Sequence, residues 1–516
     1  MRTRSGGKPE IMAAPGLPRV RTTQLHTSVL NIIYQIRNRK AIQMKKRTQK
    51  LTTLLLLIAM LLPLASCGNG GDTPETGRVN AESTPAADTA DTDGETETTR
   101  ADYPDGLPEM DFGGKTYTVL GEGMSVFFHA DEMNGEALND ALYNRDVKVG
   151  ERFNAKIALS ETADAQATID TAKASVQAGE DEYAAVVSFV IYMGMAVTNN
   201  IFQPISDLPY IDLRQPWWSA SNLTDLTYRG KTFLAMGDFD MSGLSQTKCM
   251  FYNKDLAESY NLPDMYEVVS NGEWTFDKMY EMCDGVYVDL DGDGTRSEDD
   301  RYALATNCKS AANAYLWAFG KKIATQQPDH TYKLDYYDEK LVSIVERLYN
   351  LYYETDYVHF DPNSHHYISW FENGNALFAN GLIEMAVNNL REAEFDYGII
   401  PYPKWDTEQE NYYTSVDGGH EGLAILKSIS DPEFVGTISE ALCAESWKRV
   451  VPAYYDVALK FKGTRDERSI EMLDAIVQSR VFDFGYVYGG WGCVFWIQYM
   501  MEQKSKDITS YYEKNF

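Results

Sequence analysis

Cysteine and histidine are scarce in this 516-residue chain, with six and seven residues respectively. Beyond Cys67 the cysteines are odd in number and none forms a Cys-x-x-Cys pair, so we expect neither a disulfide framework nor a cysteine-rich zinc site. The only adjacent histidines, His365 and His366, suit a solvent-facing loop better than a metal site. The sequence therefore predicts buried free thiols.

Basic residues are few for the number of acids, with 47 Lys and Arg against 76 Asp and Glu. Twelve of the bases and one acid precede residue 51, which leaves 35 bases and 75 acids in the remainder. Proteins bind nucleic acid by neutralising phosphates with Lys and Arg, so this balance argues against nucleic acid as a partner. It favours a soluble, anionic extracellular surface.

Long hydrophobic runs are missing apart from one at residues 54–65, which follows a basic stretch at residues 44–50. A membrane-spanning helix needs about 20 apolar residues, whereas a basic start, a short apolar run and small residues at its end describe an export signal. The sequence Leu-Ala-Ser-Cys at residues 64–67 resembles the lipobox of bacterial lipoproteins, whose cysteine is acylated after cleavage. We predict lipidation at Cys67, with an uncleaved signal anchor as the alternative.

The segments around this signal are not expected to fold. Residues 44–66 form a complete signal peptide with its own methionine, so residues 1–43 are interpreted as an upstream extension from a mis-assigned start. After Cys67 the chain is rich in Gly, Thr, Ala, Asp, Glu and Pro, which predicts a disordered acidic tether over residues 67–112. The predicted location is the cell membrane, lipid-anchored and facing outside the cytoplasm.

The remaining chain alternates between strand and helix patterns. Residues 136–153 place apolar side chains on one helical face, and an Ala-rich helix is predicted over residues 168–178, ended by Gly179. A strand-to-helix unit begins at residue 250. Other strands are predicted at residues 115–120, 155–159, 183–190 and 232–236. This alternation predicts an α/β architecture.

Several short motifs resemble family-1 extracellular solute-binding proteins, the substrate-capturing components of ABC importers. They lie at residues 253–257, 272–277, 380–385, 397–404 and 451–455. Residues 139–145 and 216–218 resemble a lipoprotein branch of this family. The resemblance spans most of residues 113–516 and implies a periplasmic-binding-protein-like type II fold, α/β, with mixed sheets, two lobes, a hinge and an interlobe cleft.

The resemblance also implies how the chain divides and what it contacts. We expect lobe 1 to hold residues 113–241 and 386–443, and lobe 2 to hold residues 242–385 and 444–516. Hinge motion would close the cleft. The implied partners are a small-molecule solute and the permease subunits of an ABC importer in the membrane, and the protein is expected to be a monomer.

The sharpest local motif is an acidic loop at residues 289–300, which matches the calcium-loop pattern D-x-D-x-D-G with an acid at position twelve. Oxygen ligands at positions one, three and five converge on the ion, and Gly294 permits the sharp turn. A solvated acidic turn is the alternative. We predict structural calcium in the second lobe, with the ligands Asp289, Asp291, Asp293, Thr295 (through its carbonyl) and Asp300.

Aromatic residues make up 12% of the chain and include nine tryptophans. Flat rings suit the C–H faces of sugar rings, which favours a mono- or oligosaccharide as the solute. Most tryptophans must nevertheless fill the core, and Trp274, just before the expected N-cap Thr275, is assigned there. Aromatic candidates for the cleft adjoin small residues or loops, and they are Trp218, Trp317, Trp370, Tyr454 and Trp491.

Polar specificity is expected from side chains near strand ends. Glu122 follows the first strand, Asp238 precedes the first crossing between lobes, and His420 lies in a loop before a later strand. Each of these positions also suits a turn or a cap. They complete the predicted set of ligand-binding residues.

Two classes of function remain open. One is a lipid-anchored receptor that captures a carbohydrate for a permease, and the other is a secreted surface glycoside hydrolase or related carbohydrate-active enzyme. A glycosidase needs two suitably placed carboxylates, and 75 acids make that requirement uninformative. The absence of G-x-S-x-G and H-E-x-x-H motifs, together with the family resemblance, favours a binding protein without catalytic residues.

Overall fold

The structure, a computed structural model, describes residues 99–123, 127–361, 366–458, 467–489 and 493–515. The signal, residues 67–98 of the tether (with Cys67) and Trp491 lie outside the described residues. The prediction of disorder is wrong for residues 99–112, because Leu107 joins a hydrophobic core and Tyr103, Met110 and Phe112 pack against it. Among those that are described, no helix is long and apolar enough to cross a membrane. The five cysteines after Cys67 are buried free thiols, which confirms the expectation from their spacing.

The strands fall mainly into two five-stranded sheets. In chain order they are β1 (Lys115–Glu122), β2 (Ala155–Thr162), β3 (Ala185–Phe189), β4 (Phe202–Gln203), β5 (Lys248–Asn253), β6 (Tyr302–Asn307), β7 (Ala324–Gln326), β8 (Tyr332–Leu334), β9 (Val358–Asp361), β10 (Ala376–Leu382), β11 (Tyr397–Ile400), β12 (Thr414–Ser415), β13 (Glu421–Leu426) and β14 (Arg480–Val481).

The α-helices are mostly short and cover the faces of these sheets. They span Ala137–Phe153, Ala165–Ala178, Val190–Val197, Ser221–Thr224, Ser242–Ser245, Lys254–Ser259, Met265–Ser270, Phe276–Cys283, Ser310–Ala318, Glu339–Tyr353, Tyr367–Glu372, Ile383–Asn388, Pro432–Glu445, Val451–Ala458, Glu467–Gln478, Phe484–Val487, Trp496–Glu502 and Ile508–Asn515.

Sheet 1 has the strand order β2-β1-β3-β13-β4, and lobe 1 is this sheet with its covering helices. β1 pairs in parallel with β2 and β3, whereas β13 is antiparallel to β3 and β4. Side chains alternate between the faces of a strand. Tyr117 and Val119 therefore join one hydrophobic core, and Leu120 joins another on the opposite face.

Sheet 2 has the order β11-β5-β10-β6-β9 and forms lobe 2 with its own large hydrophobic core. β5 is antiparallel to β10 and β11, while β6 is parallel to β10 and β9. The predicted division at residue 386 is wrong for β11, because this strand pairs with β5 in sheet 2. The chain returns to sheet 1 only after Ile400, and the helix Glu467–Gln478 packs on β11.

Local patterns predicted most of the first elements. Gly179 ends its helix at a φ of 71°, and its N–H donates to carbonyls of the last helical turn. The predicted core position of Trp274 is confirmed, since its side chain is fully buried and Thr275 caps the next helix. The prediction of a strand at residues 232–236 is wrong. The side chain of Asn222 takes both the N–H and the carbonyl of Met236, so only an isolated bridge forms in this stretch.

Glu440 organises the core of lobe 1. Its carboxyl group accepts hydrogen bonds from Trp217 Nε1 at 2.9 Å and Trp218 Nε1 at 2.8 Å. Burial raises the pKa of Glu440 to about 7, against the effect of these two bonds. The prediction that Trp218 lines a cleft is corrected here, because its ring is 4% exposed and anchored inside the lobe.

Replacing Glu440 by glutamine should destabilise the protein. An amide offers one acceptor oxygen, so one indole N–H would face an NH₂ group and stay unsatisfied, at a cost of about 1–3 kcal/mol. Urea unfolding of Glu440→Gln should show this loss, and Glu433→Gln, at an exposed position of the same helix, should not. An unfolding free energy equal to that of the wild type would contradict the role of Glu440.

Candidate functional site

The two sheets present equivalent edges to one another. In sheet 1, β1 and β3 end where the antiparallel β13 begins, so Glu122 and Glu421 lie at one edge. In sheet 2, β6 and β10 end where β5 begins at Lys248. The edges are joined by a backbone bridge between Thr247 and Val416. Ligands of α/β proteins bind outside the carboxyl ends of strands, which makes this region the candidate site.

Three carboxyl groups at the edge of sheet 1, Glu122, Asp240 and Glu421, form what we call the edge cluster. Glu122 accepts hydrogen bonds from Thr168 Oγ1 at 2.7 Å and Ser188 Oγ at 2.8 Å. Burial raises the pKa of Glu122, and these bonds oppose the rise. Its oxygens are thus bound by neutral donors rather than by a cation.

The other two members of the edge cluster are less well satisfied. Asp240 Oδ1 accepts from the N–H of Ser242 at 2.7 Å and from its hydroxyl. Burial raises the pKa of Asp240 to about 6. Glu421 has 7% of its surface exposed, and its Oε2 has no hydrogen-bond partner among the described residues. Burial, and then the charges of Asp240 and Glu122, hold the pKa of Glu421 well above its usual range.

Asp238 lies beside the edge cluster and faces a cation. Its Oδ1 is 3.8 Å from Arg480 Nη2, while Arg480 Nε donates to the carbonyl of Val477 at 2.8 Å. Burial raises the pKa of Asp238 to about 6, and Arg480 opposes the rise. The pair places lobe 1 in contact with the segment that follows the helix Glu467–Gln478.

His420 is a neutral ring at the same edge. Its Nδ1 lies 2.6 Å from the carbonyl oxygen of Asp417, and its Nε2 has no partner among the described residues. Burial lowers the pKa of His420 to about 4. Its ring packs on Phe482 with 5.2 Å between centroids. Nε2 is therefore an uncharged polar atom for a ligand to use.

Residues 480–488, here called the bridging segment, contact both lobes. Phe482 and Val487 join a hydrophobic core of lobe 1. On the other side, Asp483 accepts a hydrogen bond from Trp317 Nε1 at 3.0 Å in lobe 2. The fit is close, because a Cβ added at Gly194 of lobe 1 would lie 1.9 Å from the carbonyl oxygen of Val487. In the described residues, the bridging segment therefore connects the two lobes through contacts with each of them.

A second contact between the lobes involves the hairpin of β7 and β8. Tyr332 Oη donates to the carbonyl of Asp225 at 2.6 Å, and Lys322 Nζ lies 2.5 Å from the Asp225 carboxylate. Gln326 Nε2 donates to the carbonyl of Thr227 at 2.9 Å. Two of these three contacts use backbone carbonyls of lobe 1, and the third is an ion pair with the Asp225 side chain.

The predicted ligand-binding residues fall into separate environments. Glu122, Asp238 and His420 come to the edge of sheet 1, whereas Trp317 is buried at the bridging segment. Tyr454 is buried in the core of lobe 2. Trp370 is half-buried against His359, 3.6 Å between ring centroids, and Trp491 lies outside the described residues.

Sequence reasoning missed Asp240 and Arg480, and in the stretch at residues 417–421 it selected His420 rather than Glu421. Asp240 lies two residues after the predicted Asp238, and Glu421 is the first residue of β13. The position of an acid could have been used to find Glu421. The first residue of an antiparallel strand lies beside the last residues of its parallel neighbours, so an acid there reaches the same edge. Arg480 follows a helix and gives no such signal.

The acidic loop before β6 brings three predicted metal ligands together. Carboxylate oxygens of Asp289, Asp291 and Asp293 lie within 4.8 Å of one another. Such all-oxygen donors fit calcium. Asp300 lies apart from them, because its Oδ1 accepts from the N–H of Leu290 at 3.1 Å and its Oδ2 accepts other loop donors. In this geometry Asp300 holds the two ends of the loop together.

The strand order of both sheets, with one antiparallel strand inserted beside parallel ones, matches the expected architecture. Both sheets are mixed and have helices on their faces, which confirms the predicted α/β class. No protein-family model and no curated protein sequence matches the chain.

Similar solved structures include a cyclo/maltodextrin-binding protein complexed with maltotetraose, with 14% identity, a TM-score of 0.49, and coverage of 77% of this chain and 96% of that one. The GacH receptor of Streptomyces glaucescens, solved with acarbose, has 12% identity, coverage of 78% and 98%, and a TM-score of 0.49. UgpB from Mycobacterium tuberculosis, in complex with glycerophosphocholine, has 16% identity, coverage of 78% and 97%, and a TM-score of 0.46. At these identities the site must be read from this chain's own residues.

The buried acids should make stability depend on pH. The pKa of Asp240 is about 6 in the folded protein, against ~3.9 in an unfolded chain, so its contribution to stability is full below pH ~4 and is lost as the pH rises through about 6. Asp240→Asn keeps an acceptor for Ser242 but cannot ionise. Its melting temperature should exceed that of the wild type at pH 8 and match it at pH 4.

The control for this pH dependence is Asp299→Asn, at an exposed position, which should follow the wild type at both pH values. A difference between Asp240→Asn and the wild type that is the same at pH 4 and pH 8 would show that ionisation of Asp240 is not its cause.

Proposed function

We propose that the two lobes form the body of an extracellular solute-binding protein that captures a mono- or oligosaccharide for an ABC importer. Acylated Cys67 would anchor it, and the acidic tether would hold the lobes near the permease. A tethered receptor gains effective concentration at its membrane partner without tight docking. The protein would act as a monomer and would not catalyse a reaction.

The observation that supports this function best is the meeting of two sheet edges across a segment that contacts both lobes. Phe482 and Val487 of the bridging segment pack on lobe 1, whereas Asp483 binds Trp317 of lobe 2. The segment therefore contributes directly to holding the lobes together. This is the arrangement that hinge closure around a ligand requires.

The chemistry at the edge fits a polyhydroxylated solute. Ionised carboxylates such as Asp240 accept hydrogen bonds from hydroxyl groups, and the neutral His420 ring offers an uncharged polar nitrogen. Phe482 is buried and packs against that ring, which holds the imidazole in place. Few polar groups with aromatic neighbours are typical of small-molecule sites.

A ligand screen tests the carbohydrate assignment. Sugars that close the lobes should change tryptophan fluorescence and raise the melting temperature, because Trp317 lies at the bridging segment. Neutral mono- and oligosaccharides should produce both effects, and peptides should produce neither. Stabilisation by peptides alone would reject the carbohydrate ligand.

Adding a methyl group at Gly194 should impair closure. The new Cβ would lie 1.9 Å from the carbonyl oxygen of Val487, so the bridging segment must move away from lobe 1. We expect Gly194→Ala to weaken sugar binding at least tenfold and to increase the radius of gyration in small-angle scattering. Met195→Ala, at an exposed position on the same helix, should bind as the wild type does.

Two results would speak against this role of Gly194. One is unchanged affinity in Gly194→Ala, and the other is an equal loss in Met195→Ala, which would indicate damage to the helix rather than to closure.

The alternative of a glycoside hydrolase draws support from one observation. Glu421 has a raised pKa beside Asp240, and glycosidases use a protonated and an ionised carboxyl group. Release of a chromophore from aryl glycosides by the purified protein, lost in Glu421→Gln, would establish the enzyme. We expect no turnover.

We also propose that the loop at residues 289–300 binds calcium as a structural ion. Asp289, Asp291 and Asp293 supply converging carboxylates, and the carbonyl of Thr295 is a further ligand position. The loop connects to the lobe through Arg296, which donates to the carbonyls of Thr355 and Val358. An ion there would stiffen the entry into β6.

Calcium should bind and stabilise the chelator-treated protein. Titration calorimetry should show one site, and thermal unfolding should shift upward with calcium. Asp291→Asn and Asp293→Asn should each lose most of the calcium affinity, because each removes one of the three converging carboxylates. Asp299→Asn, in the same loop but outside the trio, is the matched control. No heat and no shift with calcium would reject the site.

A further inference from the structure

The charges around the edge cluster are not balanced within the described residues. Arg145 acts on Asp240, and Lys248 and Arg480 lie in the same region of the two sheets, but each of these cations already contacts a carboxylate outside the cluster. Arg145 is 2.7 Å from Asp146, Lys248 is 2.9 Å from Asp417, and Arg480 faces Asp238. None of the ion pairs between described residues includes Glu122, Asp240 or Glu421.

The unmatched oxygen of this cluster belongs to Glu421. Its side chain is more than nine-tenths buried, and its Oε2 makes no hydrogen bond among the described residues. The backbone places Glu421 beside the other two members of the cluster. Its N–H donates at 2.9 Å to Ser242 Oγ, whose hydroxyl binds Asp240, and its strand partner Phe189 donates its N–H to Glu122 at 3.3 Å. A buried acceptor without a donor costs free energy that a ligand's donor can recover.

A single metal ion does not fit this arrangement. An ion such as calcium touches its oxygens at 2.3–2.6 Å, which requires the ligand atoms to lie close together. Among the residues that the structure describes, the acidic loop alone brings three such groups within 4.8 Å, and the edge cluster does not. A larger cation that donates several hydrogen bonds suits the wider spacing.

On the basis of the proposed function, we infer that the solute carries a protonated amine and is an amino sugar with free amino groups. The ammonium group would lie between Asp240 and Glu421, donate to Glu421 Oε2 and supply the missing positive charge. Glu122, whose oxygens are held by Thr168 and Ser188, would act at longer range. His420 Nε2 would face the sugar ring.

The test compares two ligands with the same number of rings, one with a free amine and the other with an acetylated amine on each ring. Titration calorimetry of the full chain in detergent uses the trisaccharide of glucosamine and its fully N-acetylated counterpart at pH 7. We expect the amine-bearing sugar to bind at least tenfold more tightly, and its affinity to fall at pH 5, where the cluster takes up protons. Glu421→Gln should remove most of this preference, because it removes the carboxylate that the ammonium group would pair with.

Control measurements separate this inference from the proposed function. Glu109→Gln, at an exposed position, should keep the preference. Equal or tighter binding of the acetylated sugar would overturn the amine assignment and leave carbohydrate binding standing. Binding of neither sugar would also count against the proposed function. Comparable binding of spermidine would show that the amine comes from a polyamine and would overturn the amino sugar.

Discussion

Burial of carboxyl groups at the edge of sheet 1 constrains much of the structure around it. Acids of like charge held this close cannot all ionise in a low-dielectric site, so each must be hydrogen-bonded, paired or protonated. Glu122 is bound by hydroxyls, and Asp238 faces Arg480 from the bridging segment. Asp240 takes both donors of Ser242. Only the carboxyl of Glu421 is left with an unsatisfied oxygen among these groups.

The bridging segment couples this edge to lobe 2 through several close contacts. Glycines make the approach possible on both sides, because a Cβ at Gly194 would meet Val487 and one at Gly485 would lie 2.5 Å from Ile323. Phe482 is in a core of lobe 1, three residues from that second contact. Since one short segment serves both lobes, displacing it from either would change the environment of Arg480 and hence of Asp238.

Local sequence patterns predicted β1, β2, β3 and their helices because period and capping are local properties. They failed where long-range pairing decides the outcome. β11 joins sheet 2 through β5, more than 140 residues earlier, and no feature of residues 397–400 names that partner.

The site was harder to predict for the same reason. Trp218 looked like a cleft residue from its neighbours, yet its indole binds Glu440, 222 residues away. Trp218 belongs to one of the motifs behind the family resemblance, and Arg145 belongs to another. Arg145 also has a structural role, because it is fully buried and donates to the carbonyls of Phe128 and Phe239. Residues of this kind stabilise the fold, so their presence in a motif does not identify a ligand-binding position.

Closure of the lobes and the charge of the edge cluster are linked. When the lobes separate, water reaches Asp240 and Glu421, their pKa values fall toward ordinary ones, and they ionise. Repulsion between the ionised groups then opposes reclosing, whereas a bound cation removes that repulsion. A solute that brings positive charge would therefore favour the closed arrangement more strongly than a neutral one, so that the same buried acids would affect both ligand preference and closure.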